Sequence, residues 1–165
     1  MIDLDITELF EEIVKELPEG LEILYPNGKG GTKVMKSPRL NYIFGSSQYI
    51  KDILDEYSKS SAQSERKFPL VALFTPISED RGDADYFSKA KVSLIIACSS
   101  CKEWSNEMRR TTSFKNILRP IYKRLLEVLY EDSRFDCDYD EKVKHSYSEN
   151  YSYCLLYTSD AADEL

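Results

Sequence analysis

The side chains best spaced for chemistry are two cysteines, in the run Cys98-Ser99-Ser100-Cys101. A Cys-x-x-Cys pair at the end of a strand fits a thioredoxin-type redox centre, where a following helix lowers the pKa of the first thiol. Here the polar run Lys102-Glu103-Trp104-Ser105-Asn106 follows instead of an amphipathic helix, and the tryptophan stands after the pair rather than before it. A structural zinc centre needs four ligands. With segment 154–165 set aside, only Cys137 and the single histidine, His145, remain to complete one, and their spacing carries little specificity. The spacing favours two ordinary reduced cysteines, with Cys98, Cys101, Cys137 and His145 as the weak metal alternative.

Other chemistry is sparser. Gly28-Lys29-Gly30-Gly31-Thr32-Lys33 invites a phosphate-loop reading, but the four-residue gap that such a loop places before Gly-Lys-Ser/Thr is missing. It reads as a turn. The acidic connection Pro76–Asp85 holds Glu79, Asp80, Asp83 and Asp85 without the regular ligand spacing or closing glutamate of a calcium loop. His145 is the one imidazole base on offer, and its place among tyrosines favours a packed role. Carboxylates are plentiful, but nothing selects a pair. No nucleophile elbow or dinucleotide fingerprint is present. The reading is of a protein that is not an enzyme and needs no cofactor.

The elements that would position these groups follow from periodicity. Asp5-Ile6-Thr7-Glu8 has capping-box spacing, and Ile6, Leu9, Phe10, Ile13, Val14 and Leu17 recur at helical intervals, which predicts a helix near 6–17. Leu21–Tyr25 and Leu40–Phe44 read as short strands. Ser46 or Ser47 caps a second helix near 47–58, with Ile50, Ile53, Leu54 and Tyr57 on one face. The apolar run Phe68–Thr75 predicts a strand buried on both faces, paired antiparallel with a second strand over 86–98. Ser99–Thr112 reads as a long connection. Thr112 or Ser113 then caps a helix near 114–131, whose wide stripe implies burial on more than one side. Pro120 marks either a kink or the start of its regular part. Val143, His145, Tyr147, Glu149, Tyr151 and Tyr153 alternate with polar residues, which predicts a strand over 143–153. The fold class is α+β, with a mainly antiparallel sheet.

At 165 residues with 42% hydrophobic and 31% charged side chains, the composition is that of one ordinary globular domain. No apolar run approaches the length of a membrane span, and the acidic N-terminus lacks a signal-peptide pattern, so no membrane partner is expected. The net charge of −7 argues against general or sequence-specific nucleic-acid binding. The one dense basic cluster, Met108 to Lys115 with Arg119, Lys123 and Arg124, reads as a solvated helix face. The C-terminal run from Cys154 to Glu164 looks like the translation of a transposon-based sequencing adapter. The expectation is a domain over 1–153, cut short at its C-terminus, followed by a non-native tail over 154–165.

From Lys67-Phe68-Pro69-Leu70-Val71-Ala72-Leu73-Phe74 and Val92-Ser93-Leu94-Ile95-Ile96, the chain resembles a known group. The pattern continues through Arg109 or Arg110, Phe114-Lys115-x-x-Leu118-x-Pro120-Ile121-Tyr122, and Tyr147 to Tyr153. The resemblance is to small virion assembly proteins of tailed phages that infect Bacteroidetes, including crAss-like phages. They are similar in size and element order to tail completion (tail terminator) or neck proteins. The resemblance implies an α+β subunit that assembles into a ring with tail or connector proteins. It would be located in the virion after assembly in the bacterial host cytoplasm. Aromatic residues are enriched in interface cores, so Tyr122, Leu126, Tyr130, Tyr147, Tyr151 and Tyr153 are the expected contact residues.

Overall fold

The computed structural model describes residues 5–27, 29–60, 66–81, 89–135 and 145–151, and the backbone of 161–162. At the N-terminus, α1 (Ile6–Glu16) starts on the Asp5 carboxylate, which accepts from the Glu8 amide at 2.9 Å. A free amide of the first turn is thereby satisfied. The chain then forms an antiparallel hairpin from β1 (Glu22–Pro26) and β2 (Thr32–Lys36). The Asn27 side chain organises its turn, accepting from the amides of Lys29 at 2.8 Å and Gly31 at 3.1 Å. The glycine-rich loop is thus a hairpin turn. The strand that follows it, β2, is an element the sequence pattern did not announce.

The centre is a three-stranded mixed sheet in the order β3–β4–β7, where β3 is Asn41–Gly45, β4 is Leu70–Phe74 and β7 is Leu94–Ala97. Parallel β3 and β4 are joined through α2 (Ser47–Tyr57), which Ser46 caps by accepting from the Tyr49 amide at 3.1 Å. A parallel pair needs such a crossover. β4 and β7 pair antiparallel, as the sequence predicts, from Leu70 opposite Ala97 to Leu73 opposite Leu94. The segment between them is not a plain loop. It carries a second antiparallel pair, β5 (Ser78–Asp80) with β6 (Lys89–Lys91), so the expected 86–98 strand is broken at Val92–Ser93, and 86–88 lie outside the described residues. Short β8 (Ser99–Ser100) pairs with the backbone of 161–162.

Alternation along β4 decides the layers. Val71 and Leu73 point to one face, into a core shared with α1, β1 and the C-terminal helix; Leu70 and Ala72 point to the other, against Ile50 and Leu54 of α2. Successive strand side chains must face opposite ways, so one apolar run serves both layers. The α+β class holds, and strand pairing among the described residues is mainly antiparallel, with β3–β4 the one parallel pair.

The C-terminal helix, α3 (residues 106–131), starts earlier than expected, and its regular part begins with Arg119-Pro120, one of the two alternatives for that proline. It begins at Asn106, not after Thr112, because Ser105 caps it by accepting from the Met108 amide at 3.2 Å. Its middle, Arg109–Leu118, is π-helical, and regular α geometry returns over Arg119–Glu131 with Pro120 in the first turn. A proline ring clashes with the carbonyl four residues back in an α-helix. A wider turn just upstream moves that carbonyl, and the first α turn is where proline is tolerated. A further correction concerns the expected strand over 143–153. Its described part, 145–151, forms no ladder beyond a single bridge at Asn150. Those residues lie along α3 instead, and the remainder of the segment is outside the described residues.

Candidate interaction surface

Segment 145–151 is fastened to α3 by one face of its alternating pattern. Glu149 accepts a bidentate pair from Arg119, from Nε at 2.8 Å and Nη2 at 2.9 Å. The Tyr151 hydroxyl donates to the same carboxylate at 3.2 Å, and the Tyr147 hydroxyl donates to it as well. This donor set, led by the guanidinium, holds the Glu149 carboxyl down at about 2 against an ordinary 4.5. Desolvation, followed by the hydrogen bond to Glu149, pushes the Tyr147 phenol up to about 12. The Tyr122 hydroxyl hydrogen-bonds His145 Nε2, the Tyr122 and Tyr147 rings lie 4.7 Å apart, and Tyr151 packs on Phe114 at 4.4 Å. Tyr122 and Tyr151 are therefore engaged within the chain. Leu126 is half-buried, Tyr130 and Tyr147 keep exposed surface, and Tyr153 lies outside the described residues.

Cys98 and Cys101 are not linked to each other. Cys98 is buried in the core and Cys101 is half-buried, its thiol donating to Glu103 at 3.0 Å. Among the described residues no three His, Cys, Asp or Glu side chains form a metal-sized group, so Cys98, Cys101 and His145 are not brought together; Cys137 is outside the described residues.

The basic cluster divides: Arg110, Lys115 and Lys123 are exposed, as expected of a solvated helix face, whereas Arg109 and Arg124 turn inward. Arg109 is buried, and its guanidinium donates to the carbonyls of Cys101 at 3.1 Å and Lys102 at 3.4 Å and to Ser100 Oγ at 3.5 Å. Arg124 donates to the Leu17 carbonyl at 3.4 Å, bridging α3 to the end of α1. These arginines tie segments together. Their acceptors are largely backbone carbonyls, which every residue supplies, so no sequence pattern marks them.

The β1–β2 hairpin presents one fully exposed strand. Every residue of β2 is exposed, with Val34 at 52% and Met35 at 37%, whereas β1 buries Ile23 behind it. The Asn27 amide donates to the Gly31 carbonyl, and the Ser37 amide to that of Leu21. With the register Tyr25–Lys33 and Ile23–Met35, the alternation of antiparallel ladders makes those two pairs the bonded ones. The backbone groups of Thr32, Val34 and Lys36 therefore point away from β1, along an open edge. β1 manages its own outer edge with Pro26, whose missing N–H faces outward in the same register. No helix among the described residues is long and apolar enough to cross a membrane. No family model matches the chain, and neither a curated protein nor a solved structure does.

Proposed function

We propose that this protein is a structural subunit of a tailed-phage virion, a ring-forming tail completion or neck component that works through protein–protein contacts. The observation that carries this reading is β2, exposed over its whole length with an outward row of backbone donors and acceptors. Such an edge is a template for an added strand. Lys33 and Lys36 lie on that edge, and like charges facing each other across a ladder are destabilising. They disfavour pairing of β2 with its own copy about a two-fold axis and favour a strand of different, acidic character. A contact between two different surfaces of identical subunits is the kind that closes into rings.

The test is assembly. Purified protein is mixed with tail-tube and connector proteins of a crAss-like phage and viewed by negative-stain electron microscopy. Rings seated at a tail end or connector support the reading. A chain that stays monomeric and binds none of them overturns it.

A further inference from the structure

Arginines in an acidic protein find acceptors readily, and most of them here do. Arg81, Arg109, Arg119, Arg124 and Arg134 each hydrogen-bond a carboxylate or a backbone carbonyl. Among the described residues, Arg39, Arg66 and Arg110 have neither a hydrogen bond nor an ion pair. Two of these, Arg39 and Arg66, line the same open groove of about 370 Å³, between α1 and the start of β3. Lys15 and Glu11 also line it and largely offset each other, 3.7 Å apart. Among the described residues, the groove is thus lined by two arginines that make no ion pair, in a chain whose net charge is −7.

We propose that this groove binds a phosphate monoester of nucleotide size. This goes beyond the structural role above and does not depend on it. The charge fits, because a phosphate monoester carries about −1.5 to −2 at neutral pH, against these two cations. A single carboxylate would satisfy only one of them. The shape of the cations fits too, since planar guanidinium forks match phosphate oxygens in bidentate pairs. The volume lies at the lower end of the range for small-ligand sites, roughly 300–1,000 Å³, which leaves room beyond the phosphoryl group. Half-buried Tyr57, which also packs against the α2 side of the core, supplies apolar surface on the groove wall for the rest of the ligand. Tyr42, also on the wall, is held in place by its hydroxyl, which donates to the Thr7 carbonyl at 2.9 Å. The same chemistry is presented by a free nucleotide and by the 5′-phosphate end of a nucleic-acid strand.

The experiment titrates the whole chain with AMP, inorganic phosphate, adenosine, and a short thymidine strand with and without a 5′-phosphate, followed by NMR chemical-shift perturbation. AMP is expected to saturate one site that weakens with added salt, phosphate to bind more weakly at that site, and adenosine not to saturate. Each of Arg39→Gln and Arg66→Gln should lower AMP affinity by at least about tenfold. Both side chains are exposed, so the variants should melt with the wild type, and Arg110→Gln should bind AMP normally. A 5′-phosphorylated strand that binds more tightly than AMP makes the strand end the natural source; one that matches AMP makes it a free nucleotide. The proposal is overturned if AMP fails to saturate at millimolar concentration. It is equally overturned if AMP binding survives in the double variant, if adenosine binds as well as AMP, or if the strand binds equally with and without its phosphate.

Discussion

Replacing Glu149 with Gln should release segment 145–151 from α3 while leaving the rest of the fold intact. The substitution keeps size and one acceptor oxygen but removes the charge that Arg119 grips. Hydrogen bonds to charged groups are worth about 1.5–3 kcal/mol, whereas exposed ion pairs are worth about 0.2–1 kcal/mol. The Glu149 side chain is 14% exposed and that of Arg119 is 42% exposed, so the latch sits between these limits. We take its contribution as about 1–2 kcal/mol, which is a factor of about 5–30 in the detached population. Chymotrypsin cleaves after tyrosine only in a segment it can pull free, so its rate after Tyr147 and Tyr151 follows that population. Cleavage there, mapped by mass spectrometry, should accelerate by about that factor, with no change at tyrosines on α2 or β3. Unchanged rates at Tyr147 and Tyr151 would refute the latch, as would faster cleavage everywhere.

The same latch gives a pH dependence. The folded-state pKa of Glu149, about 2, lies below its ordinary 4.5. Its stabilisation is therefore complete above the higher value and is lost as pH falls through the lower one. Ring NMR shifts of the stacked Tyr122 and Tyr147 should move toward those of the Glu149→Gln variant as the pH drops across that window. Flat shifts down to the lower value would contradict the assignment.

Three further outcomes test the packing. Gly45 has φ +148°, and a Cβ there would sit 2.6 Å from Cδ1 of Tyr49; the exposed Tyr49 ring can swing aside, so backbone strain dominates. Gly45→Ala should cost about 1–3 kcal/mol in denaturant titration, and adding Tyr49→Ala should not restore it. Phe114→Ala, at a ring with no exposed surface, should cost about 3–5 kcal/mol; a loss below 1 kcal/mol would mean that the core can collapse around the gap. Ser113 buries a hydroxyl without a hydrogen-bond partner among the described residues. Ser113→Ala should therefore leave the thermal midpoint unchanged or raise it, and a clear fall would show that the hydroxyl has a partner, such as a bound water.

What the sequence makes legible is what burial on a single period writes into it. The stripe Phe10, Ile13, Val14, Leu17 and the run Leu70–Leu73 announce α1 and β4 because each position faces a packed layer. β2 stays hidden because all its residues face solvent, so Thr32–Lys36 shows no alternation of burial. The start of α3 is hidden because its π-helical part departs from the 3.6-residue period that such readings assume. Segment 145–151 is the most instructive case. Its alternation correctly marks His145, Tyr147, Glu149 and Tyr151 as one contacting face, but that face meets a helix. Period two reports an extended backbone with one side occupied and says nothing of what occupies it. The Arg119–Glu149 pair spans thirty residues, beyond any local pattern.

The central claim is that the open edge of β2 makes the functional contact. Because the Val34 N–H points away from β1, Val34→Pro deletes an outward donor without removing a hairpin bond. Sedimentation velocity over a range of concentrations should show the wild-type chain forming one discrete closed oligomer. Val34→Pro should remain monomeric with an unchanged melting temperature. A wild-type oligomer that persists in Val34→Pro would contradict the account, as would a wild type that is monomeric at every concentration and binds neither tail-tube nor connector protein.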